Sequence, residues 1–216
     1  MPNILIGALG DHPAVITGAV QALANRKAPL EPVRIDQVRV LYPESRTAYL
    51  AQQGVAMIED HLAPLPVLGE PLPFADADSV ERSVAFLRCV NRILDEHEDA
   101  GDDVYLLLAG GRKNMAALLA LSAPFYPNVR AMFHLLDRRE GTSADVFQSL
   151  ERLIAGSDHV EADVCASLGQ PPEALNLFEV PYPGPFWDAA LLKDAVRRLN
   201  AGEEPQNLPR PVSQAA

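Results

Sequence analysis

The sequence predicts an α/β protein, Rossmann-like, with a doubly wound and mostly parallel sheet. Three observations predict it. Short apolar runs alternate along the chain with longer amphipathic stretches, the pattern of strands that take turns with helices. Two of those runs, residues 4–9 and 105–108, are continuously apolar, as expected of strands covered by helices on both faces. Each of these two is followed by a glycine-containing turn and a helix-forming stretch, so the chain makes one strand, turn and helix shape twice. Crossovers between such parallel strands are right-handed, and loops at the strands' carboxyl ends line one crevice.

Taken in order, Asn3 to Leu9 is the first strand and Gly10-Asp11-His12-Pro13 its turn. Pro13 suits the start of a helix running to about Asn25, because the amide proton it lacks would have no partner there. Val33, Ile35, Val38 and Val40 alternate, with one slip, and predict a second strand over 33–42. A helix from Ser45 to His61 carries Tyr49, Leu50, Val55, Ile58 and Leu62 as its apolar positions and stops at Pro64 and Pro66. The proline-broken segment 65–74 reads as a short edge strand. Asp78-Ser79 and Glu81 mark a helix start, with Val80, Val84, Leu87, Val90 and Leu94 as its apolar stripe and an acidic loop over 96–103. The strand 105–108, the bend Gly110-Gly111 and the Ala- and Leu-rich helix after Arg112-Lys113 come next, then a strand over 129–136 closed by a charged turn at 137–141. Beyond Thr142 the pattern weakens to a helix over 146–154, a short strand over 175–180 and a helix over 186–199. The expected division is a Rossmann-like domain at 1–141, a small α/β extension at 142–201 packed on the sheet or at a dimer contact, and a flexible tail at 202–216.

At 216 residues and 48% hydrophobic content the chain has ample material for a core. A formal charge of −11 argues against duplex nucleic acid as a partner, since that affinity depends on many cations. There is no apolar run of the roughly 18 residues that a bilayer span requires, and no basic leader with a cleavage site, so a cytoplasmic protein with no membrane partner is expected. Cys89 and Cys165, the only cysteines, are too few for a disulfide scaffold or a cysteine-ligated metal. Neither a Walker loop nor a Gly-x-Gly-x-x-Gly fingerprint is present, and neither a cofactor nor a metal is expected.

The chemistry concentrates in Ala109-Gly110-Gly111-Arg112-Lys113-Asn114-Met115. Glycines let another molecule approach the backbone, and the cations sit where the first amides of a helix favour anions. A Gly-Gly turn followed by solvated cations is also common in α/β proteins, so spacing alone leaves both an anion site and a plain turn open.

Set beside Ala8-Leu9-Gly10-Asp11-His12-Pro13-Ala14-Val15-Ile16-Thr17, this second motif resembles the CRISPR-associated Rossmann-fold (CARF) family, in which it commonly reads Gly-Gly-(Arg/Thr)-Lys-x-Met. The resemblance spans residues 1 to 140 in element order and is specific at the two motifs. It implies a homodimer that binds cyclic oligoadenylate, with cyclic tetra-adenylate as the expected ring, and a ligand-binding set of Leu9, Gly10, Asp11, His12, Gly110, Gly111, Arg112, Lys113, Asn114 and Met115. Many relatives carry small hydroxyl residues where Asp11 and His12 stand, and a carboxylate beside a polyanion is unfavourable unless it accepts a ribose hydroxyl or pairs with a cation such as Lys113. Larger relatives append a ribonuclease domain marked by Arg, four to six residues, then His. Arg92 and His97 have that spacing, but they precede the glycine motif in a helix needed for packing, and the residues after Gly141 are too few for such a domain. The expectation is therefore a ring nuclease that ends type III CRISPR signalling by metal-independent 2′-hydroxyl attack, with Lys113, His12 and Asp11 as catalytic residues. The alternatives are a noncatalytic regulator of a separate effector and an RNA-end or mononucleotide enzyme.

Overall fold

The computed structural model describes residues 1–27, 30–43, 48–74, 76–137, 166–169, 175–181 and 198. Six strands, β1 (Asn3–Ala8), β2 (Gln37–Pro43), β3 (Val67–Leu72), β4 (Asp103–Leu107), β5 (Val129–Asp137) and β6 (Leu175–Val180), form one sheet in the order β3-β2-β1-β4-β5-β6. The first five are parallel and β6 runs antiparallel to β5. The expected doubly wound, mostly parallel sheet is therefore what the chain forms.

Helices α1 (Ala14–Ala24) and α2 (Ala48–Leu62) cover one face, where Leu5, Val38, Val40, Phe133 and Ile58 are buried together. Helices α3 (Val80–Ala100) and α4 (Lys113–Ser122) cover the other, over Ile4, Ile6, Leu41, Val104 and Leu106. Successive residues of β1 thus point into different cores, which is why the run is apolar without alternation.

Two elements differ from their sequence patterns. Strand β2 begins at Gln37 rather than Val33, because the preceding amides bond elsewhere: Val33 N–H donates to the Leu23 carbonyl of α1 (3.0 Å) and Asp36 N–H to the Asn3 carbonyl (2.8 Å). The apolar Val33 and Ile35 are placed there for packing, not for a ladder. In α3 the buried stripe is Phe86, Val90, Ile93, Leu94 and His97: Val90 and Leu94 are as expected, Leu87 is half-buried, and Val80 is 76% exposed. Residues 96–100, expected as loop, are helical and carry the buried stripe on to His97. Gly101, at φ +74, ends the helix in the left-handed conformation, its amide bonded to the Glu98 carbonyl.

Arg92 and His97 are both occupied within this fold. Arg92 pairs with Glu70 (2.8 Å) and Glu96, which also hold the buried Arg39 of β2, and His97 Nδ1 lies 2.8 Å from Asp102 Oδ2. The helices expected over 146–154 and, apart from Arg198, 186–199 lie outside the described residues, as does the expected tail. Two pieces of the later chain are described. Strand β6 seals the β5 edge, with Leu175 against Gly18 of α1, and the buried Leu168 accepts a 2.8 Å hydrogen bond at its carbonyl from the Thr17 hydroxyl.

Candidate functional site

Strand order reverses beside β1: the chain goes from β1 to β2 on one side, and β4 flanks it on the other. Loops leaving β1 and β4 diverge there, and the crevice between them is where open parallel sheets bind ligands. The loop after β1 is Leu9 to Pro13 and the loop after β4 is Leu108 to Arg112.

These loops touch, backbone to backbone. A β-carbon built on Gly10 would stand 1.8 Å from the Gly110 carbonyl oxygen, and one on Gly111 would stand 2.6 Å from the Ala8 β-carbon. Gly110 itself has φ +101, a conformation that side chains other than hydrogen rarely allow. The glycines are therefore steric requirements of the contact between the two bends.

On the first bend, the His12 carbonyl accepts the Val15 amide (3.3 Å) and Pro13 stands at the helix entry with φ −64, so the turn is fixed by the start of α1. Asp11 and His12 are half-buried beside it. On the second, Arg112 is the residue before α4, in extended conformation, and its carbonyl accepts the Ala116 amide (3.1 Å). Asn114 Nδ2 donates to the Ala77 carbonyl and to Asp76 Oδ1, and its Oδ1 accepts the Met115 amide (2.9 Å). Arg112 Nε lies 3.5 Å from Asp76 Oδ2. Asp76, on the segment after β3, thus holds the entrance of α4 through two side chains.

The sequence-derived residues divide accordingly. Gly10, Gly110 and Gly111 form the joint, Asp11 and His12 flank it, and the exposed Lys113 opens the first turn of α4. Arg112 and Asn114 are engaged with Asp76. Leu9 and Met115, each 1% exposed, are core residues, and the Leu9 amide donates to the Leu41 carbonyl (2.7 Å). Their side chains support the bends from below.

From the second bend a groove of about 360 Å³ runs between α4 and the end of β5. Its lining combines Leu108, Ala109, Gly110, Gly111 and Lys113 with Ala116, Ala117 and Ala120 of α4 and His134 of β5. Asp11 and His12 lie outside that lining. His134 is half-buried, its ring edge-on to Phe178 of β6 with centroids 5.5 Å apart. Sequence reasoning missed His134, which looked like one strand residue among many. The available signal was its place: the Leu108 amide bonds the Phe133 carbonyl (2.8 Å), so His134 is level with the start of the glycine bend. Among the described residues no group of three or more His, Cys, Asp or Glu is placed to hold a metal, and no helix is long and apolar enough to cross a membrane.

The chain that forms this Rossmann-type sheet, with two glycine bends joined at its switch point, is a CRISPR-associated protein by family. The chain belongs to the family described as CRISPR-associated protein NE0113, whose profile matches residues 12–207. Among solved structures, Csm6 of Enterococcus italicus bound to cyclic hexa-2′-fluoro-hexa-dAMP is similar with a TM-score of 0.57, at 13% identity, over 92% of this chain and 47% of that one. Can2 of Sulfobacillus thermosulfidooxidans in complex with cyclic tetra-adenylate gives 0.43 at 17% identity, over 61% of this chain and 31% of that one. Protein VC1899 of Vibrio cholerae gives 0.44 at 10% identity, over 61% and 30%. The chain thus spans less than half the length of each of these proteins. No curated protein matches it in sequence.

Proposed function

We propose that this protein binds a cyclic oligoadenylate across the twofold axis of a homodimer and cleaves it without a metal, giving linear products with a 2′,3′-cyclic phosphate and ending the signal. The observation that carries this reading is the direct contact of the two bends at the switch point, with Lys113 beside them at a helix N-terminus. That arrangement suits a string of phosphates, because exposed amides, the helix dipole and a cation all favour negative charge. A ring with an even number of repeats shares a dimer's twofold axis, so each subunit contacts half of it. The family membership and the fold shared with a protein solved on a cyclic hexanucleotide support this class of ligand.

Cleavage in this reading is attack by a ribose 2′-hydroxyl on the adjacent phosphorus, with departure of the 5′-oxygen. The pocket holds the two in line and Lys113 offsets charge on the phosphoryl oxygens. His12 or Asp11 takes the hydroxyl proton or returns one to the leaving oxygen. Cyclic tetra-adenylate is the ring proposed.

Purified protein incubated with cyclic tetra- and hexa-adenylate, with and without EDTA, tests this. Linear products that form despite EDTA are expected, and neither binding nor cleavage would overturn the reading. Lys113→Ala is expected to weaken binding and cleavage together. His12→Ala is expected to slow cleavage by about 100-fold or more with a smaller effect on binding, and equal losses in binding for both variants would defeat this division of roles. One observation favours a second reading, a noncatalytic sensor for a separate effector: Asp11 and His12 lie outside the groove that Lys113 lines. Tight binding with no products would establish it.

A further inference from the structure

Resting on that reading of the ligand, we infer that the groove between α4 and β5 holds one adenine base of the ring in each subunit, and that His134 reads the base's exocyclic amine. The groove is continuous with the bend that would hold phosphate, since Gly111 and Lys113 line both. Its further wall is Ala116, Ala117 and Ala120, successive small residues on one side of α4, so a flat ring lies against the helix without meeting a long side chain. At about 360 Å³ it falls within the roughly 300–1,000 Å³ usual for small-molecule sites.

An apolar slot with one placed polar group is what a nucleobase requires: its faces are apolar and its edge is polar. His134 is the polar side chain that β5 contributes to the lining, and its imidazole stands edge-on to the neighbouring Phe178 ring. A neutral imidazole has one nitrogen that accepts, and adenine's amino group donates. Inosine presents an oxygen there instead, which the imidazole meets only through its other, N–H-bearing nitrogen, so the edge-on Phe178 ring disfavours that base. Lys113 and His134 thus divide the nucleotide, with the cation on the phosphate and the imidazole on the base.

Titration calorimetry of the full-length protein with cyclic tetra-adenylate and cyclic tetra-inosinate tests the assignment. Wild type is expected to prefer the adenylate. His134→Ala should lose about tenfold in affinity for the adenylate, the effect of one hydrogen bond to a ligand, and scarcely change for the inosinate. His134→Asn, which keeps an acceptor, should recover part of the loss. Ala117→Leu, at an exposed helical position, should weaken both rings by tenfold or more with an unchanged melting temperature and mass in light scattering. If His134→Ala and Ala117→Leu bind as wild type while Lys113→Ala does not, the base site is overturned and the phosphate site stands. Equal losses for both rings on His134→Ala, or loss on Ala117→Leu only with dissociation of the dimer, also overturn it. Failure of wild type to bind either ring removes the underlying reading as well.

Discussion

Gly10 shows how tightly a single position constrains this protein. With only 1.8 Å between a would-be β-carbon and the Gly110 carbonyl, Gly10→Ala has to push two backbones apart. Such overpacking costs about 1–3 kcal/mol. Urea denaturation should record the loss of stability, and ring binding should fall with it. Cys89 offers an independent check on packing away from the site. Burial pushes its thiol above the usual range, against the opposing effect of the neighbouring Arg92. In a Cys165→Ser background, alkylation by iodoacetamide near pH 8.5 should be slower than for an unburied thiol, because less thiolate is present. Unfolding in urea should abolish the difference. At this scale the sequence was informative about the glycines of the joint and the exposed place of Lys113 at the start of α4, which residue type alone suggests. It was silent on His134, Asp76 and the engagement of Arg112, because those depend on which strand exits stand side by side.

Among the elements, α3 carries the clearest prediction. Ser79 caps it by accepting the Arg82 amide (3.2 Å), so Ser79→Ala should destabilise the protein by about 1 kcal/mol in equilibrium unfolding. Glu81 in the same turn has its carboxyl held below the ordinary range by its own backbone amide and by Ser79. A lowered folded-state value means that the charged form is favoured by folding, so its contribution is present above the unfolded-state value and lost as pH falls through the folded one. The stability gap between wild type and Glu81→Gln, measured at neutral pH, should therefore close below about pH 4. The start of α3 was legible because capping is a local matter between Ser79 and Arg82. Its buried side was legible at Val90 and Leu94 but not at Phe86, Ile93 and His97, and the first apolar residues of the expected stripe, Val80 and Val84, are exposed. Strand β2 repeats the lesson: alternation in Val33 and Ile35 reports burial, and only the partners of their amides decide where the ladder begins.

For the molecule as a whole, order along the sheet decides what the site is. The run of strands and helices made the doubly wound class legible, and from that class came the expectation that the bends after β1 and β4 lie on one edge of the sheet. Their adjacency then followed from β1 pairing with β4, a long-range choice that no local pattern encodes. The later chain contributes to the same body: Leu175, 3% exposed, packs beside Gly18, and β6 closes the β5 edge. Leu175→Ala should cost about 2–5 kcal/mol, as large-to-small changes in cores do, and the loss should appear in the one unfolding transition of the sheet rather than as a separate early step. Two such steps in urea would show that β6 folds independently of β1 to β5.

The joint between Gly10 and Gly110 has one more consequence. Where two loops are kept apart by side chains, each can adjust alone when a guest arrives. Here nothing soft lies between them, so a shift in either drags the other. A ligand bound there, as proposed, would meet a cradle already shaped, with little ordering left to be done on arrival. Discrimination between guests then falls to the outlying walls, and rings of different circumference should differ more in how fast they leave than in how fast they enter.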